Sequence, residues 1–184
     1  MQRLPMLEPR NESPELKPVF DQLRATRGRV PGMYRTLAHQ PAVLAAHRAY
    51  FHAALDAGML LRPFKEKIAF KVARLRETPY CTGSHWGYAL KQGVPVAELD
   101  AIDRGDYTGL PAKERASLLF TEAMVAGRMT DASFAALREH FNEAEAVEIV
   151  ALIGIGNRQG ALRKMAAVMK YRISYRREIE ATAF

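Results

Sequence analysis

The sequence predicts an all-α protein, on three observations. Alanine, a strong helix former, supplies 29 of the 184 residues. Gly and Pro fall mostly between segments of helical periodicity rather than inside them. No window alternates apolar and polar residues with the two-residue period of a half-buried strand. About eight helices are expected in a single domain over residues 1–184, with a core region over about 40–127 and a central helical hairpin.

The elements follow from their punctuation. Ser13 is read as a cap and Pro14 as the first helical residue of a segment that Gly28 ends. Pro31 to His39 is a short helix. Pro41 opens a longer one, with Val43, Leu44, His47, Tyr50, Phe51, Ala54 and Leu55 on one stripe and Gly58 behind it. Arg62-Pro63 begins the next, which carries Glu66 and ends where Thr78-Pro79 breaks it, because the residue before proline disfavours the helical region. Thr78-Pro79 also starts a helix to about Gln92, stopped by Gly93. Pro95 to Arg104 is stopped by Gly105, and Pro111 to about Met129 is long and amphipathic. Thr130 or Asp131 caps a helix to about Phe141. Asn142-Glu143-Ala144-Glu145 has capping-box spacing and opens a closing helix over about 142–171.

Composition removes several functions. The net charge is +7, from 27 Lys and Arg against 20 Asp and Glu, but the basic residues are scattered. The densest cluster, Lys170 to Arg177, reads as a solvated helix end or a subunit contact, and no helix-turn-helix, RNA-recognition or zinc-finger spacing accompanies it. Nucleic acid is therefore not an expected partner. Neither is a membrane: the longest apolar run, Ile149 to Ile155, is far short of the roughly 20 residues a span needs. Met1 to Pro9 has no apolar leader segment, so the expected compartment is a reducing cytoplasm. A single cysteine excludes an internal disulfide and a zinc site built on several thiolates.

That cysteine has an unusual setting. With Thr78 at the N-cap and Pro79 at N1, Cys81 falls at N3, where unpaired N–H groups and the positive end of the helix dipole favour a thiolate. His85 follows one turn later on the same face and can take or exchange the thiol proton. Glu66 lies on the preceding helix, and an antiparallel hairpin can bring it back towards this turn. The residues alone offer a Cys–His pair with a carboxylate in reach.

Glu66, followed by Glu77-Thr78-Pro79-Tyr80-Cys81-Thr82-Gly83-Ser84-His85, resembles the alkylhydroperoxidase D-like (AhpD-like) and carboxymuconolactone decarboxylase family. Thiol-active members of that family carry Glu, then Cys-x-x-Cys-x-x-x-His. Glu66, Cys81 and His85 match the glutamate, the second cysteine and the histidine, whereas Thr78 stands where the first cysteine would be. Val30 to His39 and Asn142 to Arg158 are similar to the opening segment and closing helix of the peroxidase-related branch. The resemblance implies an all-helical subunit in a homo-oligomer (trimer or hexamer), with no organic cofactor and no metal. It also implies that internal resolution by a first cysteine is lost here.

Three readings follow. In the first, Cys81 is the nucleophile of a thiol peroxidase-like oxidoreductase, Glu66 and His85 relay its proton, and an external thiol is the reductant. In the second, His85 and Glu66 serve a cofactor-free lyase or isomerase acting on a small carboxylated lactone, with Arg35, Arg158 or Arg163 holding the carboxylate. In the third, the motif is packing in a non-catalytic helical oligomer: Cys81 as a small buried hydrophobe, His85 as a core histidine. Tyr80, Thr78, Trp86 and Arg158 are the candidate site-lining residues, although Trp86 and Tyr88 also suit a core or subunit contact. His47 and His52, five residues apart, are poorly spaced for a shared metal ion. Gly154 and Gly156 suggest close helix approach rather than a phosphate loop, since no strand precedes them.

Overall fold

The computed structural model of the chain describes residues 4–8 and 13–166, with backbone alone from 157 to 166. Among the described residues the secondary structure is entirely helical, with nine α-helices where about eight were expected. The fold divides into two compact units, one formed on residues up to Ala53 together with the described residues from Ala161 on, and the other on Ala54–Gly160.

The first unit holds α1 (Lys17–Arg27), α2 (Gly32–Leu37) and α3 (Pro41–Phe51). Helix α1 begins three residues later than the Ser13-Pro14 pair predicts. The Ser13 carbonyl accepts from the N–H groups of Leu16 and Lys17, which makes 14–16 a turn. Pro18 then occupies the first helical turn, where its missing N–H costs nothing. Gly28 ends α1 in the left-handed conformation, at φ 69°. Phe20, Leu23, Met33, Tyr34 and Leu44 form this unit's core, each side chain contributing about 1.5–3 kcal/mol on full burial. His47 is buried between the rings of Tyr34 and Phe51 while His52 is exposed, as befits packing rather than a shared metal.

Helix α3 does not continue to Gly58 as an α-helix. From His52 to Asp56 the chain widens into a π-helical turn, a rare geometry that recurs beside functional sites. The second unit follows: α4 (Arg62–Leu75), α5 (Pro79–Lys91), α6 (Val96–Arg104), α7 (Ala112–Val125), α8 (Asp131–Arg138) and, as far as Gly160, α9 (Glu143–Ala166). Helices α4 and α5 pack against each other as the expected hairpin, and α4 also packs on α6 and α7. Their shared core includes Phe70, Ala89, Leu99, Ile102, Tyr107 and Leu118.

Helix ends in this unit correct the sequence reading at two places. Helix α7 stops at Val125, four residues short of Met129, because Gly127 turns left-handed (φ 66°) and Arg128 N–H returns to the Ala123 carbonyl. Helix α8 stops at Arg138 rather than Phe141, and the Arg138 guanidinium donates to the Phe141 carbonyl. The part of the closing helix expected beyond Ala166, and the Lys170–Arg177 cluster, lie outside the described residues.

Helix α4 is unusual in burying Lys65, Lys67 and Lys71. Each is paired: Lys65 with Glu148 of α9, Lys67 with Glu98 and Glu114, and Lys71 with Glu122. Glu148 also accepts from the backbone N–H of Met59 at 2.8 Å, fastening the loop ahead of α4 to α9. Gly58, at φ 92°, allows that contact, since a Cβ there would lie 2.3 Å from a Glu148 carboxylate oxygen. Gly156 plays the close-approach role expected of it: a Cβ would meet Val72 Cγ1 at 2.5 Å.

Candidate active site

The α4–α5 connection is tight. Glu77 adopts φ 49°, the one left-handed non-glycine residue among those described. Thr78 N–H then returns to the Ala73 carbonyl at 3.0 Å, and the Thr78 hydroxyl donates to the same oxygen at 3.1 Å. Thr78 therefore stands at the N-cap position as predicted, but its side chain makes no capping bond to α5. With Pro79 at N1, Cys81 is at N3 of α5, and it is 4% exposed. The first turn around Cys81 thus has no side-chain acceptor from its own N-cap, and its partial positive charge is left to whatever the thiol side presents.

His85, one turn after Cys81, points back to α4: its Nδ1 lies 2.7 Å from Glu66 Oε2. Glu66 is fully buried, at 0% exposure, so its charge must be matched from within. Arg62, four residues earlier on the same helix face, supplies the match. Its Nε donates to Glu66 Oε1 at 2.7 Å, and its Nη2 lies 2.6 Å from the same oxygen. Arg62 Nη1 in turn donates to Asp56 Oδ1 at 2.5 Å, at the end of the π-helical turn. Asp56, Arg62, Glu66 and His85 form one continuous chain of charge-assisted hydrogen bonds.

Burial would push the Glu66 carboxyl up, but His85 and then Arg62 outweigh it and hold the group below its ordinary 4.5. An ionised carboxylate only accepts, so His85 Nδ1 is the donor. In the neutral ring, Nε2 is then an acceptor, free to take a proton.

The structure brings Glu66 and His85 together as the motif predicts and sets Cys81 one turn before His85. Tyr80 is half-buried beside the thiol residue. Trp86, also half-buried, packs edge-on against Phe70 with ring centroids 5.4 Å apart. Arg35 is engaged elsewhere, donating to the Leu7 carbonyl at 2.8 Å and pairing with Glu8 at 2.6 Å. The side chains of Arg158 and Arg163 lie outside the described residues. Sequence reasoning missed Arg62 and Asp56. The Arg62–Glu66 spacing carried a signal, but a π-helical register for Asp56 did not show in the pattern. No group of three or more His, Cys, Asp or Glu that could hold a metal occurs among the described residues, and none of their helices is long and apolar enough to cross a membrane.

No family model and no curated protein matches the chain. Solved structures do. An uncharacterized peroxidase-related protein from Ralstonia eutropha JMP134, described as an alkylhydroperoxidase AhpD core, superposes with a TM-score of 0.80 at 22% identity, covering 93% of each chain. A peroxidase-related protein from Silicibacter sp. TM1040 gives 0.80 at 22% identity, over 94% of this chain and 92% of that one. The debrominase Bmp8 gives 0.82 at 22% identity over 98% of both chains, and a Bmp8 variant was solved with 2,3,4-tribromopyrrole. The fold is therefore the AhpD-like all-helical fold, as the motif led us to expect.

Proposed function

We propose that this AhpD-like chain is a thiol-dependent oxidoreductase that reduces small hydroperoxides through Cys81. The observation that carries the reading is the 2.7 Å contact of His85 Nδ1 with the buried Glu66 carboxylate, on the helix whose uncapped first turn holds Cys81. Glu66 fixes the ring so that Nε2 accepts the thiol proton, and the first turn of α5 holds Cys81 beside N–H groups that no side chain caps. The thiolate attacks the distal peroxide oxygen, the O–O bond breaks, and the departing alkoxide takes the proton from His85, leaving a cysteine sulfenic acid and an alcohol. Without a second cysteine in the chain, an external thiol condenses with the sulfenic acid and releases water, and a second one regenerates Cys81 as a disulfide leaves. Tyr80 and Trp86 line the approach in this reading, and the 4% exposure of Cys81 favours small oxidants. Assembly into a homo-oligomer belongs to the same reading.

A second substrate class is favoured by the near-complete coverage of Bmp8, which is described as a debrominase. A thiolate can also take bromine from a bromoarene. The balance is one bromoarene and two thiols giving arene, hydrogen bromide and disulfide.

The test is intact-mass spectrometry after a brief hydroperoxide pulse with a sulfenic-acid trap present. We expect a rapid adduct on Cys81 that is absent from Cys81→Ser and slowed in His85→Ala. A folded protein whose Cys81 stays unmodified by hydroperoxide, with no bromide released from bromopyrroles, would reduce the thiol to packing. Tolerance of Cys81→Ser together with loss of activity on carboxylated lactones in His85→Ala would instead establish the lyase chemistry.

A further inference from the structure

The relay has an end that the motif does not contain. Arg62 sits between two carboxylates, with Glu66 Oε1 on its Nε and Nη2 and Asp56 Oδ1 on its Nη1. The Leu55 carbonyl takes a longer contact from Nη1 at 3.4 Å. Other acidic groups packed on α4 are matched by other bases: Glu98 and Glu114 by Lys67, Glu122 by Lys71, Asp103 by Arg74, and Glu148 by Lys65. On α5, the group facing Glu66 is His85 itself. The charge felt by His85 is thus set through Glu66 by two further residues of opposite sign.

We propose that Arg62 is a positioning residue, which holds Glu66 ionised and aimed at His85 Nδ1 while weakening its pull on the ring, and that Asp56 sets how much Arg62 draws. A carboxylate alone beside a histidine stabilises the imidazolium, which has no acceptor nitrogen and cannot take a thiol proton. A guanidinium on the far oxygen weakens that pull. Asp56 opposes it by neutralising part of the guanidinium charge. This role rests on the reading of His85 as the thiol's base, but it is visible without turnover.

The experiment is an NMR titration of His85 in the full chain with labelled histidine, following both the ring carbons and the Nδ1 proton. Arg62→Gln should raise the His85 midpoint by about 0.5–1 pH unit. Asp56→Asn should lower it by a similar or smaller amount with the Nδ1 proton signal retained. Arg62→Lys keeps the charge and should stay near the wild-type value. A merely structural role predicts a different pattern: both neutral variants would loosen the Glu66–His85 contact, lose the Nδ1 signal and shift the midpoint downward. That pattern, or an unmoved midpoint in Arg62→Gln, overturns the proposal. Should Arg62→Gln fail to fold, Asp56→Asn decides: a downward shift with the signal kept supports the bracket, and no shift or an upward one overturns it. The titration can fail while Cys81 still traps as a sulfenic acid, and trapping can fail while the titration behaves as expected.

Discussion

Helices α5 and α9 begin with the same kind of residue and use it in opposite ways. Asn142 at the start of α9 accepts from Glu145 N–H at 2.9 Å, and Glu145 accepts from Asn142 N–H at 3.0 Å. Thr130 and Ser133 make the same reciprocal box at α8. At α5, Thr78 turns its hydroxyl away to Ala73 and leaves the first turn without a cap. These two helix starts are closed by side chains; α5, like α1–α4, α6 and α7, begins without a side-chain cap, and it is the one whose first turn holds Cys81. A polar residue at an N-cap position is therefore not evidence of a capping bond, and the omission is where chemistry can be placed.

The largest expected effect comes from refilling position 78 with a thiol. In Thr78→Cys the two sulfurs occupy one helical turn, N-cap and N3, within disulfide range after small adjustment. A hydroperoxide pulse should then give a protein lighter by two hydrogens, with the trapped sulfenic acid reduced by about tenfold or more, because the new thiol condenses with it and expels water. Trapping that is as strong as in the parent would show that a thiol at position 78 does not reach the Cys81 sulfenic acid.

Next is the buried carboxylate that serves this helix from outside. Glu66→Gln should lower the rate of Cys81 oxidation by about 100-fold, within the range of a lost proton relay. It should also change acid stability in a defined direction. Glu66 is held below its ordinary value of 4.5 in the fold, so as the pH falls the unfolded chain takes up this proton first. The stabilisation is complete above that ordinary value and is lost as the pH falls through the lower folded value. Melting temperatures of parent and variant across about pH 3 to 6 should converge towards the acid end. Parallel curves would mean that the Glu66 carboxyl titrates in the fold as it does in the unfolded chain.

The smallest effects test the caps themselves. Thr130→Ala should cost about 1 kcal/mol in chemical denaturation, the usual loss for a cap. Thr78→Ala should cost about half as much, since the Ala73 carbonyl keeps the Thr78 N–H. Equal losses would show that Thr78 caps α5 in solution.

Much of this was legible from residue types. Gly28, Gly93 and Gly105 end or follow their helices in left-handed conformations, and the Asn142–Glu145 box reads directly. Glu66 and His85 were placed together by spacing along a helical hairpin. What escaped had physical reasons. Gly127 lies inside a run from Pro111 to Met129 that is otherwise periodic throughout, and Pro14 and Pro18 both suit the start of α1. The direction of the Thr78 hydroxyl depends on how sharply Glu77 turns the chain, which a propensity does not contain. Asp56 reaches Arg62 from the last residue of a π-helical turn, a register that residue types do not encode.

The Gly58 contact with Glu148 has a consequence for how such sequences can change over time. The stretch from Asp56 to Arg62 is fastened at its middle by a carboxylate with no room for a side chain beside it. Inserting or deleting a residue there would put Asp56 and Arg62 out of step at both ends of the fastening. Among descendants that keep the Glu66–His85 pair, this loop should drift in composition at exposed Met59 and Leu61 while its length stays the same.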